Sequence, residues 1–289
     1  MTFRKVVAAL NGTDSDAAAL AAAAGAAAPF NGHVEGIFVR LDPRDTVVAL
    51  GEGISGPMVE QIIAAAEQEA AERLSRARAA VERLAAARGI PLIQGVAGKG
   101  DGLSVGWSDR NGPPEEIIVE EARLSDLLVL ARAAVETDTN AEVSFETALL
   151  QSGRPLLLAP PTVPARLNGT ILVAWNGSVE GTRAVAAALN LIATAERVVI
   201  ATVETAKTTG RSAEDLASYL AWHGIRAQVR QFPAGAEAVG ATLLRAAAEV
   251  SADLLVTGGY GHSRWRELIL GGVTRHLLSH SPVPVLMTH

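Results

Sequence analysis

The chain repeats one pattern of apolar runs and turns, and this duplication constrains its fold more than any other feature. An apolar run that ends in Asn11-Gly12-Thr13 returns as a run that ends in Asn176-Gly177-Ser178, and later runs recur in the same order. The matched ranges are 5–10 with 171–175, 34–39 with 198–203, 126–130 with 253–257, and 155–159 with 284–288. Such self-similarity indicates two structural units of the same kind.

Each unit alternates short runs rich in valine, isoleucine and leucine with longer stretches of helical periodicity. Continuous apolar runs are typical of strands that are buried on both faces of a sheet. Strands that alternate with helices form parallel sheets through right-handed crossovers. The sequence therefore predicts an α/β protein with two tandem parallel sheets.

The first unit is the longer of the two. The offset between matched positions falls from 165 residues at Asn11 and Asn176 to 127 at Asp126 and Asp253, which indicates an insertion in the middle of the first unit. Within it, residues 57–88 form a predicted amphipathic helix whose role the sequence leaves open. Its apolar positions recur at steps of three or four, namely Met58, Ile62, Ala66, Ala70, Leu74, Ala77, Val81 and Leu84.

A proline-rich segment separates the units. Residues 159–164 contain three prolines, which stiffen the chain and lack the backbone N–H groups that donate hydrogen bonds between strands. We therefore place the domains at 1–161 and 166–289.

Composition excludes several classes of function. The 289 residues include no cysteine, which rules out disulfides, thiolate nucleophiles and cysteine-based zinc sites. The 31 acidic and 25 basic side chains give a net charge of −6 without a run of basic residues, so we expect no nucleic-acid partner. The alanine-rich stretch 17–28 is shorter than the roughly 20 apolar residues that span a bilayer. We expect a cytoplasmic protein with no membrane partner.

The turn Asn176-Gly177-Ser178 lies where ligands bind in parallel sheets, beyond the carboxyl end of a strand. Ser178 can cap the helix that follows, and capping alone is one interpretation of this serine.

A glycine-rich loop follows a later strand of the same unit. Two residues separate Gly258 from Gly261, and nine separate Gly261 from Gly271. Glycines let a backbone approach an anion closely, and the N–H groups of 272–274 begin the next helix at the positive end of its dipole. The spacing therefore predicts a phosphate site.

Together with the DLLVTGGYG segment and the terminal SPVPVLMTH, these motifs resemble the universal stress protein family, most closely over 166–289. The resemblance implies two five-stranded sheets of the adenine-nucleotide α-hydrolase-like, Rossmann-like kind. It also implies pairing of the terminal strands, here 156–159 with 283–287. Proline at the start of both strands agrees with positions at a sheet edge.

The resemblance further implies ATP as the ligand, with Mg²⁺ accompanying the nucleotide. The residues carried over to the phosphates are Gly258, Gly261, Gly271, Gly272, Val273 and Thr274, with Thr257 beside them. Asn176, Gly177 and Ser178 would lie near the adenosine, and Val203 would meet the adenine edge. Gly272 stands where the family usually has a hydroxyl residue, and Asn176 stands where it often has aspartate.

Other candidates are weaker. Ser263 and Arg264 lie inside the glycine loop and are further candidates for phosphate contact, the alternative being an ordinary solvated loop. His276 and His280 are one helical turn apart but lack a third ligand in their sequence context, so we predict no metal site. In the first unit the corresponding segment, 130–151, contains no glycine and carries acidic residues, which predicts a structural or regulatory unit.

We expect a regulatory protein that binds an adenine nucleotide in its second unit. In response it would change its conformation or exchange its protein partner, which the sequence does not identify. The two units would form a pseudo-dimer within one chain, which a further homodimer can extend. No residue is assigned as catalytic, and ATP hydrolysis would be slow at most, because no positioned general base is evident. The alternatives are a scaffold that binds no nucleotide and a hydrolase or transferase on the same fold.

Overall fold

The structure is a computed structural model that describes residues 2–41, 56–95, 100, 102–132, 139–203, 211–233, 237–259 and 272–289, except for the side chains of 139–144. The amino-terminal domain contains β1 (Lys5–Leu10), α1 (Asp16–Ala27), β2 (His33–Arg40), α2 (Gly56–Arg88), β3 (Ser104–Asn111), α3 (Pro114–Arg123), β4 (Leu127–Ala131), α4 (Thr139–Gln151) and β5 (Leu156–Ala159). A single 3₁₀ turn, Ala28–Phe30, follows α1.

The carboxy-terminal domain has the same order of elements. It contains β6 (Thr170–Ala174), α5 (Val179–Ala193), β7 (Arg197–Val203), α6 (Ala213–Ala221), β8 (Ala227–Phe232), α7 (Val239–Glu249), β9 (Leu254–Gly258), α8 (Gly272–His280) and β10 (Val285–Thr288). The long predicted helix is therefore α2, which has 33 residues and occupies the crossover that α6 fills with nine. Gly89 ends α2 with a φ of +61°, in the left-handed region that suits glycine.

The ten strands of the described residues belong to one sheet, in the order β3-β2-β1-β4-β5-β10-β9-β6-β7-β8. Every neighbouring pair is parallel except β5 and β10, which run antiparallel with Leu157 opposite Leu286. The prediction that the terminal strands pair within the chain is confirmed. Each is the edge of its own five-stranded half, and their pairing places both at the middle of the sheet.

The prolines explain how these strands begin. The carbonyl of Pro155 accepts from the amide of Leu128, and the carbonyl of Pro284 accepts from that of Leu255. A residue in this position accepts a hydrogen bond from the neighbouring strand and need not donate one, so proline is tolerated.

The central strands β4, β5, β9 and β10 are buried on both faces, as their continuous apolar sequences predicted. In β1, Val6 and Ala8 face one core layer and Val7 faces the other. The alanine-rich helix α1 packs on β1 and β4 with most of its alanines buried. A Cβ at its Gly25 would lie 3.0 Å from the side chain of Leu167, which precedes β6. Small residues thus allow the close approach of the helix. Among the described residues, no helix has both the length and the apolar character needed to cross a membrane.

One polar contact is repeated in both domains. A carboxylate oxygen of Asp126 accepts from the Lys5 amide at 2.9 Å, and Asp253 accepts from the Thr170 amide at 2.7 Å. In each domain, the aspartate that precedes the fourth strand thus fixes the start of the first strand. The duplication seen in the sequence thus extends to individual hydrogen bonds.

Candidate functional site

The candidate site lies at the carboxyl ends of β6, β7 and β9. The chain leaves β6 toward β7 on one side and leaves β9 toward β10 on the other, so the strand order reverses between β6 and β9. Crevices at such switch points are where parallel sheets bind ligands. Val203, at the end of β7, is half-buried beside this point and pairs with Phe232 on β8.

The turn after β6 is held by its own side chains. Gly177 has a φ of +75°, which favours glycine. The side-chain oxygen of Asn176 accepts from the Ser178 amide at 3.1 Å, and Oγ of Ser178 accepts from the Gly181 amide at 3.1 Å. Ser178 is therefore the N-cap of α5, as the sequence predicted. Asn176 is exposed at the same end of the sheet.

Gly258, the last residue of β9, packs directly against the first turn of α5. A Cβ at this position would lie 2.6 Å from the Gly181 nitrogen and 2.7 Å from the Glu180 carbonyl carbon. Only glycine allows strand and helix to approach so closely. Thr257 is buried, and its hydroxyl donates to the carbonyl of Gly258. The fold thus brings Thr257 and Gly258 together with the turn after β6.

The amino terminus of α8 is the expected phosphate-binding end. Gly272 is exposed, and among the described residues outside its own helix turn no atom lies within 4 Å of the position that a Cβ would take there. Val273 is half-buried and Thr274 is buried. The other predicted phosphate residues, Gly261, Ser263, Arg264 and Gly271, lie outside the described residues.

The rings of His276 and His280 stack at a centroid distance of 4.5 Å on α8. Within the part of the chain that the structure describes, no third potential ligand completes a metal site with them.

The equivalent turn in the amino-terminal domain is filled by the chain itself. Asp16, which is buried at the start of α1, accepts from the amides of Asn11 and Gly12, both at 2.9 Å. Burial raises the pKa of the Asp16 carboxyl above its ordinary value, and the two amide hydrogen bonds oppose this shift. The matched position in the carboxy-terminal domain is Gly181, which brings no charge.

Helix α2 covers the same turn from outside. A Cβ at Gly12 would lie 2.4 Å from the carbonyl oxygen of Arg73, and Nε of Arg76 donates to the Gly12 carbonyl at 2.8 Å. The extended crossover helix therefore packs on the turn that the sequence left intact. Asp16 was not predicted from the sequence, although a signal was present: the first unit has a carboxylate where the second unit has a glycine.

A family model for the universal stress protein family matches residues 168–289. This match lies entirely in the carboxy-terminal domain. The sequence matches no curated protein.

The universal stress protein fold extends over both halves. A universal stress protein from Archaeoglobus fulgidus DSM 4304 is 16% identical with a TM-score of 0.66, covering 100% of this chain and 99% of that chain. The cytoplasmic domain of a prokaryotic cation chloride cotransporter is 11% identical with a TM-score of 0.53, covering 100% and 96%. A universal stress protein in complex with cAMP is 25% identical with a TM-score of 0.33, covering 43% and 98%. The two full-length similarities show the fold alone.

Proposed function

We propose that this protein is a cytoplasmic regulatory protein of the stress response that binds an adenine nucleotide in its carboxy-terminal domain. The supporting observation is the contrast between its two matched turns. In the amino-terminal domain the buried Asp16 carboxylate and helix α2 occupy the turn. In the carboxy-terminal domain the matched position is Gly181, and Gly272 at the start of α8 is exposed.

The amides of Gly272, Val273 and Thr274 are the proposed phosphate donors. The first N–H groups of a helix have no acceptor within that helix, and the dipole favours negative charge there. Gly258, Gly261 and Gly271 would let the backbone follow the phosphates, with Ser263 and Arg264 as further donors. Such a set suits a polyphosphate, because several N–H groups can share its charge.

The adenosine would lie between the turn Asn176-Gly177-Ser178 and Val203, which are at the ends of adjacent strands. Mg²⁺ can accompany ATP through the phosphates and water, because this ion commonly retains several waters and takes few protein ligands. The function proposed is binding followed by a change in conformation or protein partner. Hydrolysis would be slow at most.

Calorimetric titration of ATP into the purified protein, with Mg²⁺ present, tests the proposal. A Gly261→Glu variant places a carboxylate in the glycine loop and should abolish the heat. A Gly272→Ser variant restores a hydroxyl at a position with room for it and should bind at least as tightly as the natural protein. Titrations with AMP and cAMP define which adenine nucleotide is preferred. Equal heats for the natural protein and Gly261→Glu would contradict the proposal.

A scaffold that binds no nucleotide is the second candidate. Its supporting observation is that the Ser178 hydroxyl already serves as a helix cap, so the turn is complete without a ligand. The similarity to a transporter's cytoplasmic domain agrees with one fold serving different functions. Absence of binding heat for every nucleotide, together with a captured protein partner, would favour this candidate.

A further inference from the structure

The amino-terminal domain contacts the segment between β9 and β10 near both of its ends. Near the first end, Gly259 follows β9, and a Cβ there would lie 2.9 Å from Cδ2 of Leu149 on α4. Near the other end, Nη1 of Arg132 donates to the carbonyl of Ser281 at 3.0 Å and to that of Ser279 at 3.4 Å. The helix α8, whose start holds the proposed phosphate donors, lies between these two contacts.

The Arg132 contact has a clear electrostatic role. The last carbonyls of a helix lack partners within the helix, and its carboxyl end carries a partial negative charge. An arginine that donates to those carbonyls stabilises the helix and its orientation. Because α8 has only nine residues, the group that fixes its end also fixes the position of its first amides.

At the matched positions 132 and 259, only the amino-terminal domain supplies an arginine. Arg132 follows β4 and matches Gly259 after β9, by the same offset that relates Asp126 to Asp253. A Cβ at position 259 would lie 2.9 Å from Cδ2 of Leu149, so the end of that leucine side chain would have to shift to admit it. The amino-terminal domain, which lacks the glycine loop, thus supplies an arginine to the carboxy-terminal domain. The matched position of the carboxy-terminal domain supplies no arginine in return.

We propose that Arg132 is a positioning residue through which the amino-terminal domain sets the nucleotide affinity of the carboxy-terminal site. The proposal rests on the function proposed above and assigns a task to the domain with the filled turn. Through this contact α8 is held with its first amides in the arrangement that receives a phosphate. Loss of the contact allows α8 to move and weakens binding.

Arg132→Gln should weaken ATP binding about two- to fivefold, the factor that corresponds to roughly 0.3–1 kcal/mol for one cation at a helix carboxyl end. Arg132→Lys keeps the charge and should recover part of the affinity. The matched control is Arg154→Gln, because Nε and Nη2 of Arg154 donate to the Arg123 carbonyl at the end of α3, at 3.1 and 2.8 Å. That contact lies within the amino-terminal domain and should leave ATP affinity unchanged.

The experiment combines calorimetric titration of ATP with amide hydrogen exchange of the nucleotide-free proteins, both well below the melting temperature. Arg132→Gln should also speed exchange in α8, and Arg154→Gln should not. Faster exchange in α8 with unchanged ATP affinity would reduce Arg132 to a structural contact and overturn the proposal. Equal losses of affinity in both variants would also overturn it. No binding by the natural protein would overturn the proposed function and this coupling together.

Discussion

Gly258 is the position at which a single added methyl group should most directly disturb the candidate site. In Gly258→Ala, the new Cβ would lie 2.6 Å from the Gly181 nitrogen and 2.7 Å from the Glu180 carbonyl carbon. These are backbone atoms of the first turn of α5, so no side-chain rotation can relieve the overlap. The separation must grow by roughly 0.8 Å before the 3.4 Å of ordinary contact is reached. The expected cost is about 1–3 kcal/mol, the usual range for overpacking a tight interior.

Thermal unfolding followed by calorimetry measures this cost, with Gly272→Ala as the matched control. About 1 kcal/mol corresponds to roughly 2–4 °C in the melting temperature of a domain of 150–250 residues, so Gly258→Ala should melt several degrees lower. At Gly272 no atom of the described residues beyond its own helix turn lies within 4 Å of the new Cβ, and replacing a helical glycine should stabilise the protein by at most about 1 kcal/mol. Equal melting temperatures for the two variants would refute the close packing of β9 on α5.

Three further predictions concern the two matched turns. Ser178→Ala and Ser212→Ala each remove a helix N-cap, the second at the start of α6, and each should lower the free energy of unfolding by about 1 kcal/mol. Only Ser178→Ala should change ATP affinity in titrations. Equal affinities would leave Ser178 a cap alone. The raised pKa of Asp16 means that the folded protein holds this proton more tightly than the unfolded chain does, so stability falls as pH rises from about 3.9 through the raised pKa. Urea unfolding at several pH values should show a smaller fall for Asp16→Asn, and parallel curves would contradict this. Gly12→Ala combines a φ of +74° with a Cβ 2.4 Å from the α2 backbone, whereas Gly89→Ala has a φ of +61° and open space. Gly12→Ala should therefore be the more destabilising by about 1–3 kcal/mol in the same assay, and an equal loss would show that α2 does not cover the turn.

The sequence predicted the features that depend on local pattern. Proline before the last strands, at Pro155 and Pro284, indicated edge strands, and the resemblance supplied their mutual pairing, which the structure confirms. The Asn-Gly-Ser turn predicted a helix cap, and Ser178 provides one.

The features that distinguish the two domains depend on contacts between distant residues. Arg76 donates to Gly12 across 64 positions, and Arg132 donates to Ser281 across 149. No periodicity or motif connects such pairs, because each arises only when the sheet has brought separate helices together. The filled turn could be anticipated only in part, from the carboxylate at Asp16 in the position matched by Gly181.

The most direct test of the account is the change in backbone amide chemical shifts when ATP is added, measured by two-dimensional NMR on isotopically labelled protein. We predict the largest changes at Gly272, Val273 and Thr274, with smaller changes at Asn176-Gly177-Ser178 and none at Asn11-Gly12-Thr13. Changes confined to the amino-terminal turn, or no change at the start of α8, would contradict it.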